Sequence, residues 1–222
     1  MKLIIFDFEG TLVDFQWKLK ESINTMHRIL EGYRINYNIP CDTEKFKKLN
    51  YSQLYNYFSK NIEDPLLRRK IMNDFDRIYD YYDEDASLRW SMYDEVPKLL
   101  EELKNKGFKI ALDSNVGRKA LDKMLKKFMI GYYFDITITR NDVKCLKPNP
   151  EGIYKILNYF NGIEFKEKYF VGDSVTDIKT AKRAKFPVII LTGEKGENKL
   201  EEIIKHNPNH VINNLKDMLM FL

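Results

Sequence analysis

Hydrophobic positions along the chain follow two different rhythms. Leu3-Ile4-Ile5-Phe6 is a continuous apolar run, which predicts a short strand covered on both faces. Phe108-Lys109-Ile110-Ala111-Leu112, Tyr169-Phe170-Val171 and Val188-Ile189-Ile190-Leu191 have the same character. Phe134-Asp135-Ile136-Thr137-Ile138 alternates, which predicts a strand nearer a sheet edge, and His210-Val211-Ile212 a last short one. Between these runs the period becomes helical. Val96, Leu99, Leu100 and Leu103 share one face of a helix predicted over 94–106 and stopped by Gly107. Leu121, Met124 and Leu125 do the same within 118–128, and Ile153, Ile156, Leu157 and Phe160 within 151–160. A short helix is predicted over 177–185. From about residue 94, strand and helix alternate, which is the pattern of an α/β fold with a doubly wound parallel sheet.

Residues 15–92 break this pattern. They contain no convincing buried strand, and Phe46, Tyr51, Tyr55, Tyr57, Phe58, Phe75, Tyr79 and Tyr82 recur at helical spacings among dense charges. The expectation is an all-helical domain at 15–92, inserted into an α/β core formed by 1–14 and 93–222. Its aromatics are read as the packing of that helical unit.

Composition narrows the function classes. At 44% hydrophobic residues, the 222-residue chain can bury a real core. Its net charge of +4, from 37 Lys+Arg against 33 Asp+Glu, gives no reason to invoke a nucleic acid. Cys41 and Cys145 form no CxxC pair and read as ordinary reduced thiols. No stretch reaches transmembrane length and the first apolar run is too short for a signal peptide, so a cytoplasmic protein without a membrane partner is expected. Oligomeric state is left open.

The candidate chemistry lies where strands end, which is where ligands bind in open α/β sheets. The first strand runs into Asp7-Phe8-Glu9-Gly10-Thr11, the second into Asp113-Ser114-Asn115, and the fourth into Gly172-Asp173-Ser174-Val175-Thr176-Asp177. Lys147-Pro148 follows the third. Any one acidic strand end reads as a helix cap, but several polar ends on one rim exceed what capping needs. Crowded carboxylates call for a cation, and an all-oxygen ligand set favours Mg²⁺. Mg²⁺ in turn favours a phosphoryl substrate. Lys147 adds a fixed positive charge and Ser114 a hydroxyl donor, while Gly10 and Gly172 allow close backbone approach.

These segments, in this order, resemble the motifs of the haloacid dehalogenase-like hydrolase superfamily, and the helical insertion resembles the cap of its phosphoglycolate phosphatase and phosphomutase-like branch. The resemblance implies a Rossmann-like core and a Mg²⁺-dependent phosphatase acting on a small phosphorylated metabolite. It implies that Asp7 attacks phosphorus and forms an aspartyl-phosphate. Asp7, the Glu9 carbonyl and Asp173 would hold Mg²⁺, with Asp177 behind them. Ser114, Asn115 and Lys147 would hold the phosphoryl oxygens, and Thr11 would steady the loop and help bind phosphate.

Glu9 departs from the family pattern, which has Asp there as general acid and base. Glu keeps the carboxyl but extends it by roughly 1.5 Å, and a shift of about 1 Å can change a rate on the order of 100-fold. The favoured reading makes Glu9 a longer-armed acid/base. Two others stand beside it: chemistry repositioned for an unusual substrate, or a largely inactive protein that binds phosphometabolites or regulates. A phosphomutase is the rival enzyme. Relatives that break carbon–halogen bonds carry Tyr at this position and phosphonate-cleaving ones carry Ala, so neither activity is expected. Trp17 and Lys18 are candidate specificity residues near the expected junction. Asp14 reads as a hinge or cap residue, Arg68-Arg69-Lys70 as a solvated face, and His27, His206 and His210 as without a role.

Overall fold

A computed structural model describes residues 1–37, 46, 48–193 and 197–222, with the side chains of 37 and 197–199 excepted. Cys41 lies outside the described residues, and Cys145 is a buried free thiol.

The six strands are β1 (Lys2–Phe6), β2 (Phe108–Asp113), β3 (Ile136–Ile138), β4 (Glu167–Gly172), β5 (Val188–Leu191) and β6 (His210–Ile212). They form one parallel sheet in the order β3-β2-β1-β4-β5-β6. In the central strand β1, side chains alternate between two separate cores, as strand geometry requires. Ile4 and Phe6 join the cluster that contains Leu99, Leu121 and Phe108. Leu3 and Ile5 join Ile153, Ile156, Phe170 and Ile178 on the opposite face. All four side chains are fully buried, which is why β1 is continuously apolar.

The edge strand β3 is shorter than predicted. Asp135 leaves the alternating pattern because its carboxylate pairs with Lys104 at 2.6 Å and Lys109 at 3.1 Å. It also accepts the Ile110 N–H. Among the described residues, three helices lie between Val13 and Met92: α1 (Leu19–Tyr37), α2 (Tyr51–Asn61) and α3 (Pro65–Ser87). Their aromatic residues interleave, with Phe58 and Phe75 edge to face and Tyr55 against Tyr79. Asn50 caps α2 and Asp64 caps α3.

The chain enters and leaves the inserted helices through two segments that run side by side. Val13 bridges Met92, Asp14 N–H donates to the Ser91 carbonyl, and Ser91 N–H donates to the Asp14 carboxylate. The remaining helices are α4 (Val96–Asn105), α5 (Arg118–Lys127), α6 (Glu151–Tyr159), α7 (Val175–Arg183) and α8 (Glu197–Lys205). Helix α4 buries Val96, Leu99, Leu100 and Leu103 and stops before Gly107, whose φ of +80° suits glycine. Among the described residues, no helix is long and apolar enough to cross a membrane.

Candidate active site

The sheet order reverses around β1, whose neighbours β2 and β4 lead to opposite faces. The crevice at the carboxyl ends of such strands is the usual ligand site. Asp7 directly follows β1, Ser114 follows β2, and Asp173 follows β4. All three line a cavity of about 270 Å³ together with Glu9, Asn115, Lys147 and Asp177.

Lys147 organises this crevice. Its ammonium lies 2.8 Å from Asp7 Oδ1 and 2.7 Å from Asp177 Oδ1, and is itself buried. Its backbone N–H donates to Asn115 Oδ1 at 3.0 Å. From α2, the Asn56 side chain both donates to the Leu146 carbonyl and accepts the Leu146 N–H, fixing the residue before Lys147. Asp177 is positioned by its own helix. Ser174 caps α7 and donates its hydroxyl to Asp177 Oδ2 at 2.6 Å, which leaves Oδ1 for Lys147.

Two glycines make room for the acids. A Cβ on Gly10, at φ +83°, would stand 2.5 Å from the Asp173 carboxyl. One on Gly172 would stand 2.5 Å from Asp177 Cβ.

The charges in the crevice do not balance. Ligand oxygens of Asp7, Asp173 and Asp177 lie within 4.8 Å of one another, facing the single ammonium of Lys147. Burial pushes the Asp7 carboxyl upward; Lys147 opposes this, while Asp177 and Asp173 add to it. Lys147 is held protonated against its own burial by Asp177, Asp7 and Asp113. Three carboxylates against one ammonium leave a deficit that a divalent cation would match. The all-oxygen donor set suits Mg²⁺, so the residues present fit that ion.

Glu9 lines the same cavity and is tied to both connecting segments. Its Oε1 accepts the Gln16 N–H and Trp17 N–H, each at 2.9 Å, and the Trp90 indole N–H at 2.8 Å. Burial pushes this carboxyl up to about 7, against the pull of those donors. With three donors on Oε1, the proton of the acid form belongs on Oε2.

The structure thus brings Asp7, Glu9, Ser114, Asn115, Lys147, Asp173 and Asp177 to one cavity. It does not bring Thr11 there: that side chain is fully buried and its hydroxyl finds no partner. The bend at Gly10 turns the chain inward, so Thr11 packs beneath the loop. Trp17 reaches the cavity, whereas Lys18 points to solvent and pairs with Asp85 at 3.4 Å. Asn50, Tyr51, Tyr79 and Asp83 also line the cavity. Sequence reasoning assigned the two tyrosines to packing and passed over Asp83, because helical periodicity marks an inward face without saying whether protein or ligand fills the inside.

Comparison with known proteins gives the same direction. The chain is 27% identical to a phosphoglycolate phosphatase of Haemophilus influenzae across all of this chain and 98% of that protein. It is 25% identical to the pyrophosphatase PpaX of Bacillus mycoides, covering 99% of this chain and 95% of the other. Two solved structures share the fold. A HAD-superfamily hydrolase of Geobacter sulfurreducens has a TM-score of 0.57 at 21% identity, with all of both chains covered. A hydrolase of Pseudomonas syringae has a TM-score of 0.62 at 20% identity, covering 100% of this chain and 97% of that one. Residues 4–191 match the family model described as haloacid dehalogenase-like hydrolase, and the chain belongs to that family.

Proposed function

We propose that this protein hydrolyses a small phosphate monoester through a phosphorylated Asp7, with Glu9 as the proton carrier. The observation that carries the reading is Lys147, a buried ammonium bridging Asp7 and Asp177 at the switch point of the sheet. Phosphoryl transfer needs positioning and charge stabilisation more than covalent chemistry, and this crevice supplies both. The relatives named for phosphate hydrolysis support the same class.

In this reading, an Asp7 carboxylate oxygen attacks phosphorus in line while Glu9 gives its Oε2 proton to the departing alcohol oxygen. Glu9, now a carboxylate, takes a proton from water, which attacks the aspartyl-phosphate and frees Asp7. The Ser114 hydroxyl is able to donate, because its oxygen only accepts the Val116 N–H. Ser114, the Asn115 N–H and the Lys147 ammonium hold the phosphoryl oxygens. Mg²⁺, held by Asp7, the Glu9 carbonyl and Asp173 with Asp177 behind, would neutralise charge on the phosphoryl group. The inserted helices act as a cap that keeps bulk water from the crevice. Thr11 acts only by packing under the loop.

Labelling with a radioactive phosphate ester tests this. Mg²⁺-dependent turnover, with hydroxylamine-labile label on the wild type and none on Asp7→Asn, is the expected result. Turnover that survives Asp7→Asn would remove the nucleophile from the mechanism.

A further inference from the structure

Beyond the phosphoryl site the cavity is lined by ring and aliphatic side chains, with Asn50, Asp83 and Glu9 as polar groups among them. Tyr51 and Tyr79 line it from the inserted helices and Trp17 from the segment that enters them, joined by Phe15, Leu19 and Ile23. The three larger rings form one cluster. Trp17 lies 4.8 Å from Tyr51 and 5.4 Å from Tyr79, and the two tyrosines are 5.6 Å apart.

The polar tips of this cluster are mostly taken by the protein. The Trp17 indole N–H donates to Asp83 at 3.0 Å, and the Tyr79 hydroxyl to the Tyr51 carbonyl at 3.0 Å. The Tyr51 hydroxyl is directed to the Asn115 side chain, toward the reacting end. What Trp17 and Tyr79 offer a ligand is ring surface.

The charge near this wall is also spoken for. Asp83 Oδ2 accepts the Gly117 N–H and pairs with Arg140 at 2.7 Å, and both side chains are buried. Among the described residues that line the cavity, Lys147 is the one cation, and it already serves Asp7 and Asp177. A second anionic group on the substrate would therefore lie against ring carbon, with Glu9 and Asp83 nearby. A buried charge without a partner is costly. An uncharged ring meets flat aromatic surface with one phenol at its edge, which is how such pockets hold small molecules. The size agrees. A benzene needs a cavity of about 150 Å³, so the 270 Å³ here takes one ring and a phosphoryl group.

We propose that the alcohol released is uncharged and ring-bearing, stacked against Trp17, Tyr51 and Tyr79, and is not a small anion such as glycolate or phosphate. This rests on the phosphatase reading above and departs from phosphoglycolate and pyrophosphate, for which the two sequence relatives above are named.

The test is a kcat/KM panel on the full chain with Mg²⁺: benzyl phosphate, glucose 6-phosphate, phosphoglycolate, pyrophosphate and acetyl phosphate. A ring ester is expected to exceed phosphoglycolate and pyrophosphate by roughly tenfold or more, as pocket complementarity of this kind provides, with the difference mainly in KM. Tyr51→Leu is expected to lower the ratio of benzyl phosphate to acetyl phosphate by about fivefold or more. Phosphoglycolate or pyrophosphate as the best substrate would overturn the inference and leave the phosphatase standing. No turnover of any compound in the panel, the activated acyl phosphate included, would overturn the phosphatase. Calorimetry with Asp7→Asn then decides the inference by binding alone: benzyl phosphate tighter than phosphoglycolate supports it, and the reverse order sinks it.

Discussion

Arg140 and Asp83 pair at 2.7 Å across the boundary between the sheet and the inserted helices, and neither side chain reaches solvent appreciably. Arg140 follows β3, and Asp83 lies on α3, 57 residues earlier. The guanidinium also bonds Asp80, lies 3.5 Å from Asp76, and stacks 4.8 Å from the Tyr79 ring centroid. Removing one partner of such a buried pair leaves an uncompensated charge, at a cost of about 3–5 kcal/mol. Arg140→Met should therefore destabilise the fold by that order in chemical denaturation. Adding Asp83→Asn should restore part of the loss. A single substitution costing under about 1 kcal/mol would mean that the pair contributes no more than a surface bridge.

Gly172 offers a sharper test of site geometry. A Cβ there meets Asp177 Cβ at 2.5 Å, and both atoms are anchored to backbone, so the conflict cannot be relieved by a rotamer change. Gly172→Ala should displace Asp177 from Lys147. A misplacement of about 1 Å predicts a loss in kcat on the order of 100-fold. Wild-type kcat in a folded Gly172→Ala protein would show that the Asp177–Lys147 contact does not matter to the reaction.

Asp113 ends β2 in a fully enclosed position, with Oδ2 unpartnered and its carboxyl pressed on Gly152. Burial pushes its pKa up to about 6; Lys147 opposes the shift and Asp177 adds to it. A folded-state value above the unfolded one means that the native protein holds the proton more tightly. Stability from this group is thus fully present below pH 4 and declines as pH rises from about 4 to 6, by a few kcal/mol at most. Asp113→Asn should flatten that part of a stability–pH curve. An unchanged slope between wild type and variant would refute the assignment.

Glu9 is fitted to its length. Its Oε1 collects N–H groups from Gln16, Trp17 and Trp90, which belong to the two segments entering and leaving the inserted helices. Aspartate is one carbon shorter and cannot keep all three donors from the same backbone position. Glu9→Asp should therefore lower kcat on the order of 100-fold, although it restores the family's usual residue. A faster Glu9→Asp enzyme would show that the glutamate is a handicap.

The parallel sheet was legible because its signal is local. Leu3 to Phe6 are apolar without a break because β1 is covered on both faces, and Asp7 follows where the strand emerges. The same logic made Lys147, Asp173 and Asp177 readable, since strand ends in this topology converge on one rim. Thr11, expected to steady the loop and help bind phosphate, lies outside the cavity because the turn at Gly10, a matter of a single φ angle, decides which way its side chain points.

The sequence by itself determined the two periodicities, the order of strands and helices, and the chemical types at the strand ends, all of which arise from neighbours a few residues apart. Only the tertiary structure decided that Asp83, in the charged run Asp80-Tyr81-Tyr82-Asp83-Glu84-Asp85, is buried while Glu84 is not. It likewise decided that Tyr51 and Tyr79 face a cavity as well as each other. The reason is physical: a charge can be buried where a countercharge meets it, and the countercharge of Asp83 is Arg140, brought to it by packing that no local pattern records.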